Sequence, residues 1–187
     1  MIIQGNDPFT GPSFSLGHRV RRQVWNIVWL LLFRPSPRPL HVWRNFLLRA
    51  FGARLGRHVH IYPSVKVWAP WNLVIGNFVG VGDRVNIYCM DRTAIGDYAV
   101  ISQGTHICAG SHDFNAPNFQ LITAPISIGS RVWLCADSFV GPGVAIAEGT
   151  VVGARGVVAK NITEGWGVWA GVPVKKTGGR DKARVLS

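Results

Sequence analysis

The side chains best equipped for chemistry in this sequence gather around one histidine. His112 stands in Ser111-His112-Asp113, within a polar stretch from Cys108 to Pro117 that has no aliphatic spacing of its own. A neutral imidazole can take a proton from a hydroxyl at physiological pH, which makes a loop histidine a candidate general base. Asp113 follows it directly, but adjacency in sequence does not place a carboxylate beside the ring. Asn86 and Asp91 offer hydrogen-bonding groups that suit a polar ligand and equally suit a turn backbone. The three cysteines, Cys89, Cys108 and Cys135, follow no metal-ligand spacing and are odd in number. They read as small buried thiols in a reducing compartment, not as a disulfide framework.

Such residues need a frame, and the frame is written in a six-residue beat. Ile128, Leu134, Val140, Ile146, Val152 and Val158 stand at strict intervals of six, and the same step joins Leu55, Ile61, Val67; Ile75, Val81, Ile87; and Ile95, Ile101, Ile107. A hexad matches neither the helical nor the simple strand period. It fits a solenoid of triangular coils in which each flat side takes one hexad and points its aliphatic inward. Glycine follows the aliphatic at Gly56, Gly76, Gly82, Gly96, Gly129, Gly141 and Gly153, predicting corners whose backbone conformation strains a side chain. The step from Ile87 to Ile95 is eight, predicting a bulge near Cys89 to Arg92, and that from Ile107 to Ile128 is 21, predicting a protruding loop over 108–125.

Ahead of the coils, residues 1–13 predict a disordered or extended N-terminus without the pattern of a cleaved signal. Residues 14–54 predict a helical head: one helix over 16–33, a break at Pro35, Pro37 and Pro39, and a second helix over 40–51. In the second, Trp43, Phe46, Leu47, Ala50 and Phe51 share a face, with Arg44 and Arg49 elsewhere. The apolar run of Val24 to Phe33 is shorter than the ~20 residues a bilayer span needs. The head either caps the solenoid's open end, on the first coil or a neighbouring subunit, or makes a peripheral membrane contact over 16–51, with arginines interleaved among Trp, Leu and Phe. Coils are expected over 55–170 and a basic tail over 171–187.

The chain holds 20 Lys and Arg against 9 Asp and Glu, a formal charge of +11, with the cations gathered in head and tail. Such ends suit anionic lipid, nucleic acid or a phosphorylated small molecule; no nucleic-acid motif is present, so nucleic acid is not an expected partner. With 48% hydrophobic and only 16% charged residues, part of the surface is expected to be covered by partners. The default compartment is the cytoplasm, with the inner face of the cytoplasmic membrane as the peripheral alternative.

The coils from Asn72 to Lys176, the loop with Ser111-His112-Asp113, the segment Ile128-Gly129-Ser130-Arg131-Val132-Trp133 and the closing Ala170-Gly171-Val172-Pro173 resemble hexapeptide-repeat acyltransferases of the maltose and galactoside acetyltransferase and NodL type. With the head included, through Phe33-Arg34-Pro35 and Arg38-Pro39-Leu40, the chain is similar to the colanic-acid biosynthesis acetyltransferases. The resemblance implies an all-β solenoid, a left-handed parallel β-helix with an N-terminal α-helical cap and a protruding active-site loop. It also implies a homotrimer with sites between subunits, acetyl-CoA as donor, and a saccharide or lipid-linked saccharide acceptor from exopolysaccharide or capsule assembly. Carried over residue by residue, it makes His112 the catalytic base, Asn86 and Asp91 acceptor contacts, and Trp133, Ala136, Gly153, Ala154, Lys160 and Lys175 donor contacts. Ala136 departs from the family, where a serine hydroxyl often helps to hold the thioester oxyanion; here only its backbone N–H is left for that role.

Other classes stay open at this point. A serine or nucleotide-amino-sugar acetyltransferase would share the scaffold. A zinc enzyme of the γ-carbonic-anhydrase kind would need three convergent histidines, with His106, His112 and His58 or His60 as candidates; its usual histidine pair late in the coils is missing, and no metal is expected. A non-catalytic assembly protein would bury His112 away from any cleft.

Overall fold

Each hexad supplies a strand of two or three residues, stable only by pairing with its equivalents one coil above and below. In the computed structural model, which describes residues 2–5 and 7–187, these strands stack into three parallel faces. The first holds Arg54–Leu55, Leu73–Ile75, Thr93–Ile95, Ile126–Ile128 and Ala145–Ile146; the second His60–Ile61, Gly80–Val81, Val100–Ile101, Trp133–Leu134, Val151–Val152 and Gly167–Gly171; the third Lys66–Val67, Asn86–Tyr88, His106–Cys108, Phe139–Val140 and Val157–Val158. The inward aliphatics Ile61, Val81, Ile101, Leu134 and Val152 are all at most 1% exposed and form one continuous core. Burial of each contributes roughly 1.5–3 kcal/mol.

The register slips share one place. Leu55 pairs with Ile75 and Ile75 with Ile95, twenty residues per coil, whereas Ile128 pairs with Ile146 after eighteen. The two extra residues of each early coil fall between the third and first faces, at 68–72 and 89–92, and the long insertion between Ile95 and its partner Ile128 falls at the same corner. The irregularities therefore stack into a single edge of the prism, on which the loop stands.

The glycines have a different cause from the one expected. Gly56, Gly76, Gly96 and Gly129 are not at left-handed φ; that conformation falls two residues later, on His58, Phe78, Tyr98 and Arg131, at φ between 51° and 58°. What excludes a side chain is the next coil: a Cβ on Gly56 would lie 2.6 Å from the Gly76 carbonyl carbon, and one on Gly96 2.5 Å from the Ser130 nitrogen. The turning residues then use their exposed side chains. His58 stacks on Phe78 at 4.8 Å, Phe78 on Tyr98 at 5.0 Å, and Arg131 lies over Tyr98 at 5.0 Å.

The head caps the first coil through side-chain donors. A solenoid's first coil has carbonyls with no strand below to pair them. Helix α1 (Leu16–Val28), continued by a π turn over Trp29–Phe33, brings Trp25 Nε1 to the Val67 carbonyl at 2.6 Å and Trp29 Nε1 to that of Val65 at 2.8 Å. Helix α2 (His41–Ala50) adds Arg44 Nε to Ile61 O, Asn45 Nδ2 to Val59 O and Arg49 Nη2 to Leu55 O and Gly56 O. This corrects the expected orientation of α2. Arg44, Asn45, Leu47 and Leu48 are buried, while Trp43 and Phe46 are exposed, because edge carbonyls need donors more than the end of the core needs another aromatic. Burial lowers the Arg44 pKa, and its guanidinium is answered by Ser36 Oγ and the Pro37 and Arg38 carbonyls.

Both described terminal segments are engaged. Ile2 bridges Phe14, and the segment reaches the loop through Gly5 N donating to Gln120 Oε1 at 2.9 Å, so it does not run free. Past the last coil, the basic C-terminal segment doubles back as Val174–Gly179, antiparallel on Gly167–Gly171, and ends in a short helix, α3 (Lys182–Leu186). Among the described residues no helix is long and apolar enough to cross a membrane.

Candidate active site

The loop over 108–125 is a β-hairpin. Gly110–His112 pairs antiparallel with Leu121–Thr123, placing His112 opposite Leu121, and Ala124 N donates to the Ala109 carbonyl to close its base. Gly110 leaves room there for Met90, whose Sδ a Cβ would displace on the corner below. Asp91, on that same corner, accepts from Thr123 Oγ1 at 3.1 Å and so ties the corner to the hairpin.

His112 is oriented from within the hairpin. Its Nδ1 lies 2.8 Å from the Phe119 carbonyl oxygen, and its ring stacks on the Phe119 ring at 4.4 Å and 14°. A carbonyl oxygen only accepts, so Nδ1 carries a proton, and in the neutral ring Nε2 keeps its lone pair. That is the tautomer a general base needs at Nε2. Asp113 takes no part: its Oδ1 accepts from the Asn115 backbone, and its own N–H donates to Gln120 O. Phe119, at φ 48°, was not legible as an orienting residue, since its backbone does the work. Its only signal is its place just before the return strand.

Asn86 lies on the third face with Nδ2 3.4 Å from His106 Nε2. It lines a groove of about 420 Å³ between α1 and that face, shared with Trp25, Trp29, Lys66, Trp68 and Tyr88. Burial lowers the His106 pKa and so favours its neutral form, in which Nε2 can accept from the Asn86 amide. Asp91 borders a different cavity, with His18, Trp71 and Asn72. Asp91 and His112 thus share the hairpin and its supporting corner, whereas Asn86 belongs to the neighbouring groove.

The donor candidates fall mostly together. Trp133 is 45% exposed on the second face, its Nε1 donating to Ser102 Oγ at 2.9 Å. At the corner beyond, the Ala136 carbonyl accepts from Arg155 N and Gly153 N donates to Trp169 O, while the N–H groups of Ala136 and Ala154 make no hydrogen bond among the described residues. Lys175 stands opposite Ala170, whose Cβ a side chain at Gly153 would meet at 3.1 Å. Lys160 lies apart, across the third face at the corner that also carries the hairpin.

The remaining histidines disperse: His58 stacks on Phe78, His60 on His41, and His106 faces Asn86. Among the described residues no group of three His, Cys, Asp or Glu converges to hold a metal. Cys89 is buried, donates to Ala69 O, and burial pushes its thiol up to about 11.

Three parallel faces closed into a triangular coil, with one histidine hairpin at a corner, define a β-helix of the acyltransferase class. No family model matches the chain. WcaF of Escherichia coli K12, ascribed to colanic acid biosynthesis as an acetyltransferase, is 46% identical over 161 residues, covering 86% of this chain and 88% of the relative. Galactoside O-acetyltransferase of the same organism is 28% identical over 145 residues, covering 74% and 71%. Among solved structures, a galactoside acetyltransferase in complex with coenzyme A superposes with a TM-score of 0.83 at 23% identity, covering 93% of this chain and 88% of that one. A Vibrio cholerae hexapeptide-repeat acetyltransferase complexed with acetyl-CoA gives 0.82 at 21%, covering 91% and 93%. The coil is the left-handed β-helix of these acetyltransferases. The chain belongs to the hexapeptide-repeat acetyltransferase family and is an acetyl-CoA-dependent acyltransferase.

Proposed function

We propose that the protein is an O-acetyltransferase that moves acetyl from acetyl-CoA to a hydroxyl of a saccharide, free or lipid-linked, in exopolysaccharide or capsule assembly. The observation that carries the reading is the His112 tautomer: Nδ1–H held by the Phe119 carbonyl leaves Nε2 as base. Nε2 takes the hydroxyl proton as the acceptor oxygen attacks the thioester carbonyl. The C–S bond then breaks, and the imidazolium returns the proton to the CoA thiolate. No acyl-enzyme forms.

Asn86 and Asp91 contact the acceptor. Trp133, Ala136, Gly153 and Ala154 line the donor path, with Lys175 and Lys160 toward the CoA phosphates. The unpaired Ala136 N–H supports an oxyanion role at the position that lacks a hydroxyl; one such donor contributes ~3 kcal/mol. Exposed Phe78, Tyr98, Val100 and Trp133 support a homotrimer in which neighbouring subunits complete each site. The acceptor class and the basic head together favour work at the inner face of the cytoplasmic membrane.

Thiol release from acetyl-CoA is measured against simple sugars, nucleotide sugars and lipid-linked saccharides, with the product treated with hydroxylamine. An ester, cleaved by that treatment, is expected. A stable amide would make the enzyme an amino-sugar N-acetyltransferase instead.

A further inference from the structure

Helix α1 with its π-turn extension carries apolar residues on two opposite sides, and among the described residues only one side is packed. Trp25, Trp29 and Phe33 face the first coil. On the other side Leu16, Val20, Val24, Ile27 and Leu31 recur at helical spacing and are between 47% and 70% exposed. A surface helix ordinarily turns one apolar stripe to the core and polar residues outward, so a second, exposed stripe calls for a covering of its own. The outward face of α2 extends the patch: Trp43 stacks on Phe46 at 5.8 Å, and its Nε1 reaches back to the Leu32 carbonyl at 3.0 Å.

Charge indicates what covers it. No Asp or Glu occurs between Asp7 and Asp83; of the head's arginines, Arg19 lies within the length of the apolar stripe and Arg34 just beyond its end, both exposed. A second head laid on this one would set the same cations against each other with no carboxylate to answer them. An anionic bilayer answers both features, offering an acyl boundary for the stripe and phosphates for the arginines. We propose that the outward face of α1, with Trp43 and Phe46, docks on an anionic lipid surface.

Leu30, on the flank of the stripe, is also a wall of the groove that reaches Asn86, so docking sets the mouth of that groove at the headgroup layer. This last consequence rests on the acceptor reading above; the docking itself does not.

The test is co-sedimentation of the full chain with phosphatidylcholine vesicles, with and without phosphatidylglycerol. Binding is expected to the mixed vesicles, to weaken with salt, and to fall by roughly tenfold or more in the double variant Val24→Glu/Ile27→Glu. Arg19→Glu should reduce the preference for phosphatidylglycerol. Circular dichroism and thermal unfolding check that the variants fold. No partition to mixed vesicles, or equal partition by the double variant, overturns the proposal. So does a change in oligomeric mass in the double variant without vesicle binding by the native chain, which would assign the face to another copy. Thiol release with a soluble saccharide, read on the same samples, is expected to be unchanged in the double variant, so that failure of docking and failure of the acetylation reading are separated.

Discussion

Two corners of the same prism are built from the same hexads and do opposite things. Between the first and second faces the first four coils turn alike, through a glycine that lets the next coil pass and a left-handed residue, His58, Phe78, Tyr98 or Arg131, whose side chain stacks on its neighbour. Between the third and first faces each early coil is longer, and the insertions rise from two extra residues to a hairpin. The regular corner keeps its backbone in contact from coil to coil and has no room for change. The irregular one varies in length from coil to coil and is tied mainly by side chains, Asn72 to the Cys89 and Met90 carbonyls and Thr123 to Asp91, so it can carry a loop without disturbing the core. The candidate site stands at the second corner, on the rigid base that the first provides.

That contrast can be broken or sharpened by substitution. The largest effect is expected from His112→Ala, which should lower turnover by about 10²–10⁴-fold while the protein unfolds at the native temperature; thiol-release kinetics beside calorimetry check it. The mirror case is Gly96→Ala. Its Cβ would meet backbone atoms of the next coil, and overpacking of this kind costs about 1–3 kcal/mol. Denaturant unfolding should show that loss while the folded fraction keeps its turnover. A third, smaller effect is expected from Thr123→Val, which removes the hydroxyl that Asp91 holds. A net loss of about 1 kcal/mol at the hairpin base should lower turnover severalfold and leave acetyl-CoA affinity unchanged by titration calorimetry.

The smallest effect concerns pH. Burial, with the nearby cations Arg22 and Arg21, lowers the His18 pKa to about 4, and burial lowers those of His41 and His106. The unfolded chain protonates these imidazoles at higher pH than the folded one. Their contribution is therefore present above the ordinary imidazole pKa and lost as pH falls through that value toward about 4. Thermal unfolding followed across that range should show the decline, and His106→Asn should flatten part of it.

How much of this was legible depends on whether a side chain or a backbone carries the information. The hexads announce their own coils because inward aliphatics must repeat with the coil, and Ile87 to Ile95 announced its bulge. The reason for the glycines was not legible, since it lies in the approach of a coil some twenty residues away. The face of α2 was misread because amphipathicity counts apolar contacts, while the coil's end needed the donors of Arg44 and Asn45 for its free carbonyls. At the site, His112 stood out as a type in a loop, but its orienting group is a carbonyl of Phe119, which no residue type signals.

The central claim is that the hairpin fixes His112 with Nδ1 protonated and Nε2 free. Long-range proton–nitrogen NMR spectra of histidine-labelled protein, with His112 assigned by its absence in His112→Ala, read that tautomer directly. The account predicts a protonated Nδ1 and an unprotonated, acceptor-type Nε2 in the neutral ring. A neutral ring with its proton on Nε2 would contradict it.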